Sequence, residues 1–213
     1  MKRLSVLAAL VILLGLAPVG AVAAPILFDN GSIPQPNSGG SAYTDSSPWR
    51  IYDDFSLAAG GSIGHVFFQT VVNGNGSFVN FDFAIFADSG GQPGGEIFSD
   101  TITPVDYTAS TPGNFGGFII RDIEFDTLVN LGPGSYFVSF WGNADSQFSI
   151  PQIQVGTGDG FKQGYVPDGT FLDRAGNTPF RLEAAVPEPS TLTLAGAGLL
   201  LLSLRGGHRR SSV

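Results

Sequence analysis

Between Pro25 and Val186, apolar side chains alternate with polar ones in short runs, each closed by Gly, Pro, Asn, Asp or Ser. A period of two sends successive side chains to opposite faces of an extended strand, whereas a helix needs spacings of three and four. No stretch of this body sustains helical spacing. The clearest run is "FVNFDFAIFA", residues 78–87. There Phe81, Phe83 and Ile85 share one parity, while Asn80, Asp82 and Ala84 take the other. Such a strand has one buried face and one wet face. Similar runs predict strands at residues 50–57, 63–72, 96–103, 117–125, 135–142 and 179–185. In 117–125 the apolar parity changes from Phe118 and Ile120 to Ile123 and Phe125. Either a β-bulge near Arg121 or a strand buried on both faces accounts for the switch. Segments 32–47 and 156–169 read as long polar loops, and the 30 glycines predict tight turns. There is no fixed-period repeat. Many short strands separated by turn residues predict an all-β fold, a single antiparallel β-sandwich of jelly-roll type spanning residues 24–185.

The sequence contains no cysteine, so no disulfide can staple this sandwich, and neither a thiolate metal site nor a thiol nucleophile can form. Its stability must come from an apolar core. Eighteen phenylalanines make that feasible, since burying one is worth roughly 1.5–3 kcal/mol.

The two ends differ from the body. Lys2 and Arg3 precede an unbroken apolar stretch, residues 4–16, and Ala21-Val22-Ala23 supplies small residues at the spacing signal peptidase requires. Residues 1–23 therefore read as a cleaved signal peptide, too short and too interrupted by Pro18 for a permanent anchor. Of ten Lys and Arg residues, five lie in the terminal segments, and of eighteen acidic residues only Glu188 does. The body thus holds five positive and seventeen negative side chains, a net charge near −12. Such a body repels nucleic acid and anionic membranes and resists self-association.

At the other end, Pro187-Glu188-Pro189 is a stiff, extended tripeptide, because both prolines fix φ and disfavour a preceding helix. Residues 189–204 carry no charge, and Arg205, Arg209 and Arg210 follow. An apolar helix over 192–204 with a basic end at 205–210 is a cytoplasmic stop under the positive-inside rule. Its 16 uncharged residues would reach about 24 Å against roughly 30 Å of hydrocarbon, which is marginal for a permanent span. Such a segment suits transient residence in the inner membrane.

These three parts in this order, Val186-Pro187-Glu188-Pro189-Ser190-Thr191, the apolar run and the arginines, resemble the PEP-CTERM sorting signal of Gram-negative bacteria. The resemblance implies that exosortase, a membrane-embedded cysteine transpeptidase, is a maturation partner alongside signal peptidase. It implies cleavage at 186–210 and delivery to the surface or matrix of an exopolysaccharide-producing cell. Two departures stand out: the apolar run is rich in Gly and Ala early, at Ala195-Gly196-Ala197-Gly198, and Gly206-Gly207 dilutes the basic cluster. Within the body, "DDFSL", "IFADSGGQPGGEIF" and "LGPGSYFVSFWG" resemble exported β-sandwich domains that precede bacterial anchoring tails.

Catalysis finds little support in the body. Its one histidine, His65, lies inside a strand pattern, and no Gly-x-Ser-x-Gly elbow surrounds a serine. Asp122, Glu124 and Asp126 would line one strand face, a solvated row rather than a glycosidase pair. No cofactor is required. Calcium is the candidate metal, through Asp53, Asp54, Asp88, Asp145 and Asp159 beside turns, although each also suits an Asx turn. Sugar binding is the main rival to a structural role, with Trp49, Trp141, Tyr43 and Tyr52 as stacking platforms. Trp141, between Phe140 and Gly142, is expected in the core. The sequence thus reads as an exported structural or adhesive protein of the envelope, matrix or biofilm. A module for extracellular polysaccharide is the alternative, and a secreted hydrolase comes third.

Overall fold

The computed structural model describes residues 23–31, 40–42, 49–73, 78–103, 107–115, 118–144, 148–151 and 160–186. The expected signal peptide, the PEP tripeptide and the apolar run 192–204 lie outside them. Among the described residues no helix is long and apolar enough to cross a membrane. Ala24–Ala185 fold as one unit.

Among the described residues, thirteen strands form two antiparallel sheets. In the seven-stranded sheet, β4 (Gly61–Asn73) is the spine. Along one side it pairs with β8 (Phe118–Leu131), which pairs in turn with β7 (Tyr107–Phe115). Along its other side lies β13 (Phe180–Ala184), then β10 (Phe148–Pro151). β1 (Ile26–Asp29) adds to β13, and β2 (Gly40–Ala42) adds to β10. The six-stranded sheet has β12 (Thr170–Arg174), β11 (Phe161–Tyr165), β3 (Trp49–Leu57), β9 (Gly134–Ala144), β5 (Phe78–Asp88) and β6 (Pro93–Ile102) side by side.

The alternation in the sequence explains how the sheets close on each other. Ile51, Phe55, Leu57, Phe81, Phe83, Ile85, Val138 and Phe140 point inward from one sheet, and Ile63, Val66, Phe68, Ile123, Phe125, Phe180 and Leu182 from the other. Their rings meet between the sheets. Phe68 lies 4.4 Å from both Phe81 and Phe140, and Phe125 lies 5.3 Å from Phe83 (centroid distances). These contacts make a β-sandwich whose core is built largely of phenylalanine.

Three expectations about strands and loops need correction. Segment 32–47 is not loop throughout, because Gly40–Ala42 form β2 against β10. Segment 156–169 is not one long loop, because its residues 161–165 form β11 between β3 and β12. Phe161 is buried there, while the remaining residues are polar, small or only partly buried, so a five-residue strand leaves little periodic signal. The irregularity near Arg121 is also not in β8 against its main partner. β8 runs in continuous register along β4 from Phe118↔Asn73 to Asp126↔His65. The extra residues belong to β7, between Ala109, opposite Arg121, and Asn114, opposite Ile119. From Ile123 onward β8 buries one face, with Ile123, Phe125, Val129 and Leu131 inside.

Candidate functional site

The outward face of the six-stranded sheet follows from the inward one by parity. In β5, Phe83 pairs with Phe140 of β9 on the core side, so Asp82 and Trp141, the next pair, lie on the outer face. Phe86 pairs with Phe137 on that same outer face. Trp141 is therefore not a core residue, because Phe140 takes the inward position and sends its neighbour out. Trp141 is half-buried, and the Arg50 guanidinium lies 5.0 Å from its ring centroid, a cation–π distance.

Tyr52 belongs to the outer face too. Its ring meets Phe86 at 5.2 Å and Phe171 of β12 at 5.5 Å, both edge-on. Burial among these rings pushes its hydroxyl pKa above the ordinary tyrosine value, with nearby Arg50 pulling it down and Glu96 pushing it up. An aromatic ridge thus crosses the sheet from Phe171 through Tyr52 to Phe86.

Two recesses flank that ridge. One, about 430 Å³, is walled by Trp141 and lined by Asp82, Glu96, Ser99, Asp100 and Thr101 from β5 and β6. Its carboxylates are held in place from within: Glu96 Oε1 accepts from Ser99 Oγ at 2.6 Å, Asp100 Oδ1 from Thr101 N at 2.8 Å, and Asp82 Oδ1 from Thr101 Oγ1. The other recess, about 500 Å³, is lined by Asp54, Asp88, Phe137, Lys162, Asp173 and Arg174, among others. There Lys162 pairs with Asp173, its cross-strand neighbour.

The remaining expected residues fall elsewhere. Trp49 packs against the core and against Tyr165, 4.8 Å between centroids, so it does not share the outer face with Trp141. Tyr43, Asp145 and Asp159 lie outside the described residues. Asp53 is 1% exposed and points into the sandwich, whereas its neighbour Asp54 points outward, so the two do not converge. Asp53 Oδ2 accepts from Asn30 Nδ2 at 3.0 Å, from Thr178 Oγ1 at 2.6 Å and from Thr178 N. Asp88 Oδ1 accepts from Gly91 N at 2.6 Å and so closes a turn. Among the described residues, no group of three or more His, Cys, Asp or Glu is gathered closely enough to hold a metal ion.

His65 lies on the outer side of the other sheet. Its Nδ1 is 2.9 Å from Asp126 and its Nε2 3.8 Å from Glu124, which makes a cross-strand row of acid and imidazole. The carboxylates expected to repel one another there are thus partly matched by a histidine. Gln69 Nε2 likewise donates to Asp122 at 2.7 Å.

Several outer-face residues escaped the reading by sequence: Arg50, Phe86, Glu96, Phe137 and Phe171. The signal for two of the aromatics was adjacency. Ile85-Phe86 and Phe137-Val138 each place two bulky apolar groups side by side, which in a strand puts one on each face.

The comparisons with known proteins concern the other end of the chain. No curated protein matches it. Residues 185–210 match the PEP-CTERM protein-sorting motif, beginning on the residue after β13. The match contains Pro187-Glu188-Pro189, the apolar run and Arg205, Arg209 and Arg210. The all-β body is therefore joined to a PEP-CTERM sorting motif, and by that motif the chain is an exosortase substrate exported to the cell envelope or surface.

Proposed function

We propose that the body, residues 24–185, is the delivered part of a surface or matrix protein of a Gram-negative cell, with an adhesive or structural role and no catalytic one. The observation that carries this reading is the sorting motif placed directly after the last strand of an all-β unit. An adhesive needs a stable body and an open side, and both have physical support. The phenylalanine core gives stability without disulfides, and the net charge near −12 keeps the body soluble once outside. The outer face of the six-stranded sheet offers half-buried rings and carboxylates rather than the uniformly polar surface of an inert spacer. The apolar run and its arginines hold the chain in the inner membrane until it is cut.

A deletion strain tests the role. Loss of the protein should weaken cell cohesion or attachment to the matrix, and the full chain supplied in trans should restore it. A chain ending at Ala185 should be exported but should not restore it. Full restoration by that truncated chain would show that sorting is dispensable, and no phenotype in the deletion strain would overturn the adhesive role.

A further inference from the structure

We propose that the outer face of the six-stranded sheet binds a neutral, hydroxyl-rich polysaccharide chain, with Trp141 as a stacking wall and Asp82 and Glu96 as hydroxyl acceptors. This names a partner for the adhesive role and rests on that reading only for where binding takes place. The binding itself follows from the face.

Rings that an exported acidic body leaves half-wet are a standing cost, at roughly 25 cal/mol for each Å² of apolar surface in water. Tyr52, Phe86 and Phe171 cover one another only edge-on, and Trp141 is screened by Arg50 from the β3 side. The recess beside Trp141 lies on its β5–β6 side, so that wall is not the one Arg50 covers. A sugar ring matches this pairing of groups. Its C–H face packs on an indole, while its hydroxyls donate to carboxylate oxygens. Asp82 and Glu96 each use one oxygen for Thr101 or Ser99, which fixes the carboxylate and leaves the second oxygen for a ligand.

Charge selects among glycans. Three carboxylates and no cation line the recess beside Trp141, so a polyuronate, sulfated or phosphorylated chain is repelled. An apolar peptide would bury those carboxylates without hydrogen-bond partners, which disfavours it. Two recesses on either side of an aromatic ridge favour an extended chain over a single sugar. Along β5 the two recesses are marked by Asp82 and Asp88, on either side of Phe86 and roughly 20 Å apart.

The test uses purified residues 24–185, which fold as one unit. Affinity electrophoresis is run in gels holding dextran, galactomannan, hydroxyethylcellulose or mixed-linkage glucan, with alginate and chitosan as charged controls. At least one neutral polymer should retard the protein, and its oligosaccharides, but not its monosaccharide, should reverse the effect. Trp49→Phe leaves Trp141 as the one tryptophan, and its emission should change on binding. Trp141→Ala should abolish retardation. Asp82→Asn and Glu96→Gln preserve shape and should each weaken binding about tenfold, whereas Asp168→Asn, on the β11–β12 turn, should not. These conservative variants keep the test decisive if Trp141→Ala fails to fold. Retardation by none of the neutral polymers, equal retardation by alginate or chitosan, or binding indifferent to the Asp82 and Glu96 changes would overturn the proposal. Self-association through this face, seen as a dimer that Trp141→Ala dissolves without any glycan, would overturn it too. None of these results depends on whether the tail is sorted.

Discussion

Asp53 shows how far one residue's environment departs from what its neighbours in sequence suggest. A carboxylate beside a second carboxylate reads as a surface or metal-binding pair, yet the strand turns one of them into the core. There Asp53 accepts from both the backbone and the side chain of Thr178 and from Asn30. Asn30 in turn accepts from Asn177 at 2.9 Å, and Asn177 accepts from Gly160 N at 3.1 Å. This network ties the middle of β3 to the segments flanking β1, β11 and β13, so Asp53 acts as a structural clasp. Hydrogen bonds to a buried charge are worth about 1.5–3 kcal/mol each, and removing their acceptor strands the donors. Asp53→Ala should therefore cost about 3–5 kcal/mol in urea unfolding, and Asp53→Asn distinctly less. A loss below about 1 kcal/mol for the alanine change would show that the network is not what holds these ends.

At the scale of elements, strongly alternating strands were legible and short ones were not. The runs at 50–57, 63–72, 78–87, 96–103, 117–125, 135–142 and 179–185 correspond to β3, β4, β5, β6, β8, β9 and β13, with ends shifted by a few residues. β1, β2 and β10 have four residues or fewer, and β7 contains Pro112 and Gly113, so periodicity had little to act on. β11 and β12, five residues each, were also too short for periodicity to show, and their pairing is set by a turn. Asp168 and Gly169 both donate their backbone N–H to Tyr165 O, at 3.3 and 2.9 Å, and Gly169 supplies the left-handed residue with φ 71°. Asp168 Oδ1 accepts from Thr170 N and Oγ1, and these bonds hold its pKa below the ordinary carboxylate value. A depressed folded value means the turn is fully supported above the unfolded carboxylate pKa and loses that support as pH falls through the folded one. Thr170→Val should raise the Asp168 midpoint in an NMR titration, and an unchanged midpoint would remove the side-chain bond from the explanation.

On the adjoining strand, Gly164 sits under the rings of Tyr52 and Phe171. A Cβ there would lie 2.7 Å from Tyr52 and 2.8 Å from Phe171. Gly164→Ala should displace both rings and destabilise the sheet by about 1–3 kcal/mol. Because burial raises the Tyr52 pKa, the displaced ring should titrate closer to an ordinary tyrosine. A stability loss with no change in that titration would mean the ring had not moved.

For the whole molecule, fold and address are written in different parts of the chain and were read with different ease. The address is a contiguous motif, so its chemistry was visible in order: a stiff extended tripeptide, an apolar run and a basic end. The binding face is assembled from β3, β5, β6, β9 and β12, and only the pairing register brings Trp141 beside Asp82 and Tyr52 beside Phe171. No linear reading shows that. The sorting motif also separates two roles by charge. Glu188 is the one acidic residue of that segment, and Arg205, Arg209 and Arg210 are its basic end. Glu188→Ala should leave export intact and trap an uncut form in the inner membrane. Replacing Arg205, Arg209 and Arg210 with Ser should let uncut protein escape outward. Fractionation followed by immunoblotting distinguishes the two.

The most direct measurement is the intact mass of wild-type protein recovered from the surface of the native producer. The account predicts a chain that begins close to Ala24 and ends before the apolar run, so that residues 192–210 are gone. Surface protein that still carries them would make the segment a plain anchor and contradict exosortase sorting.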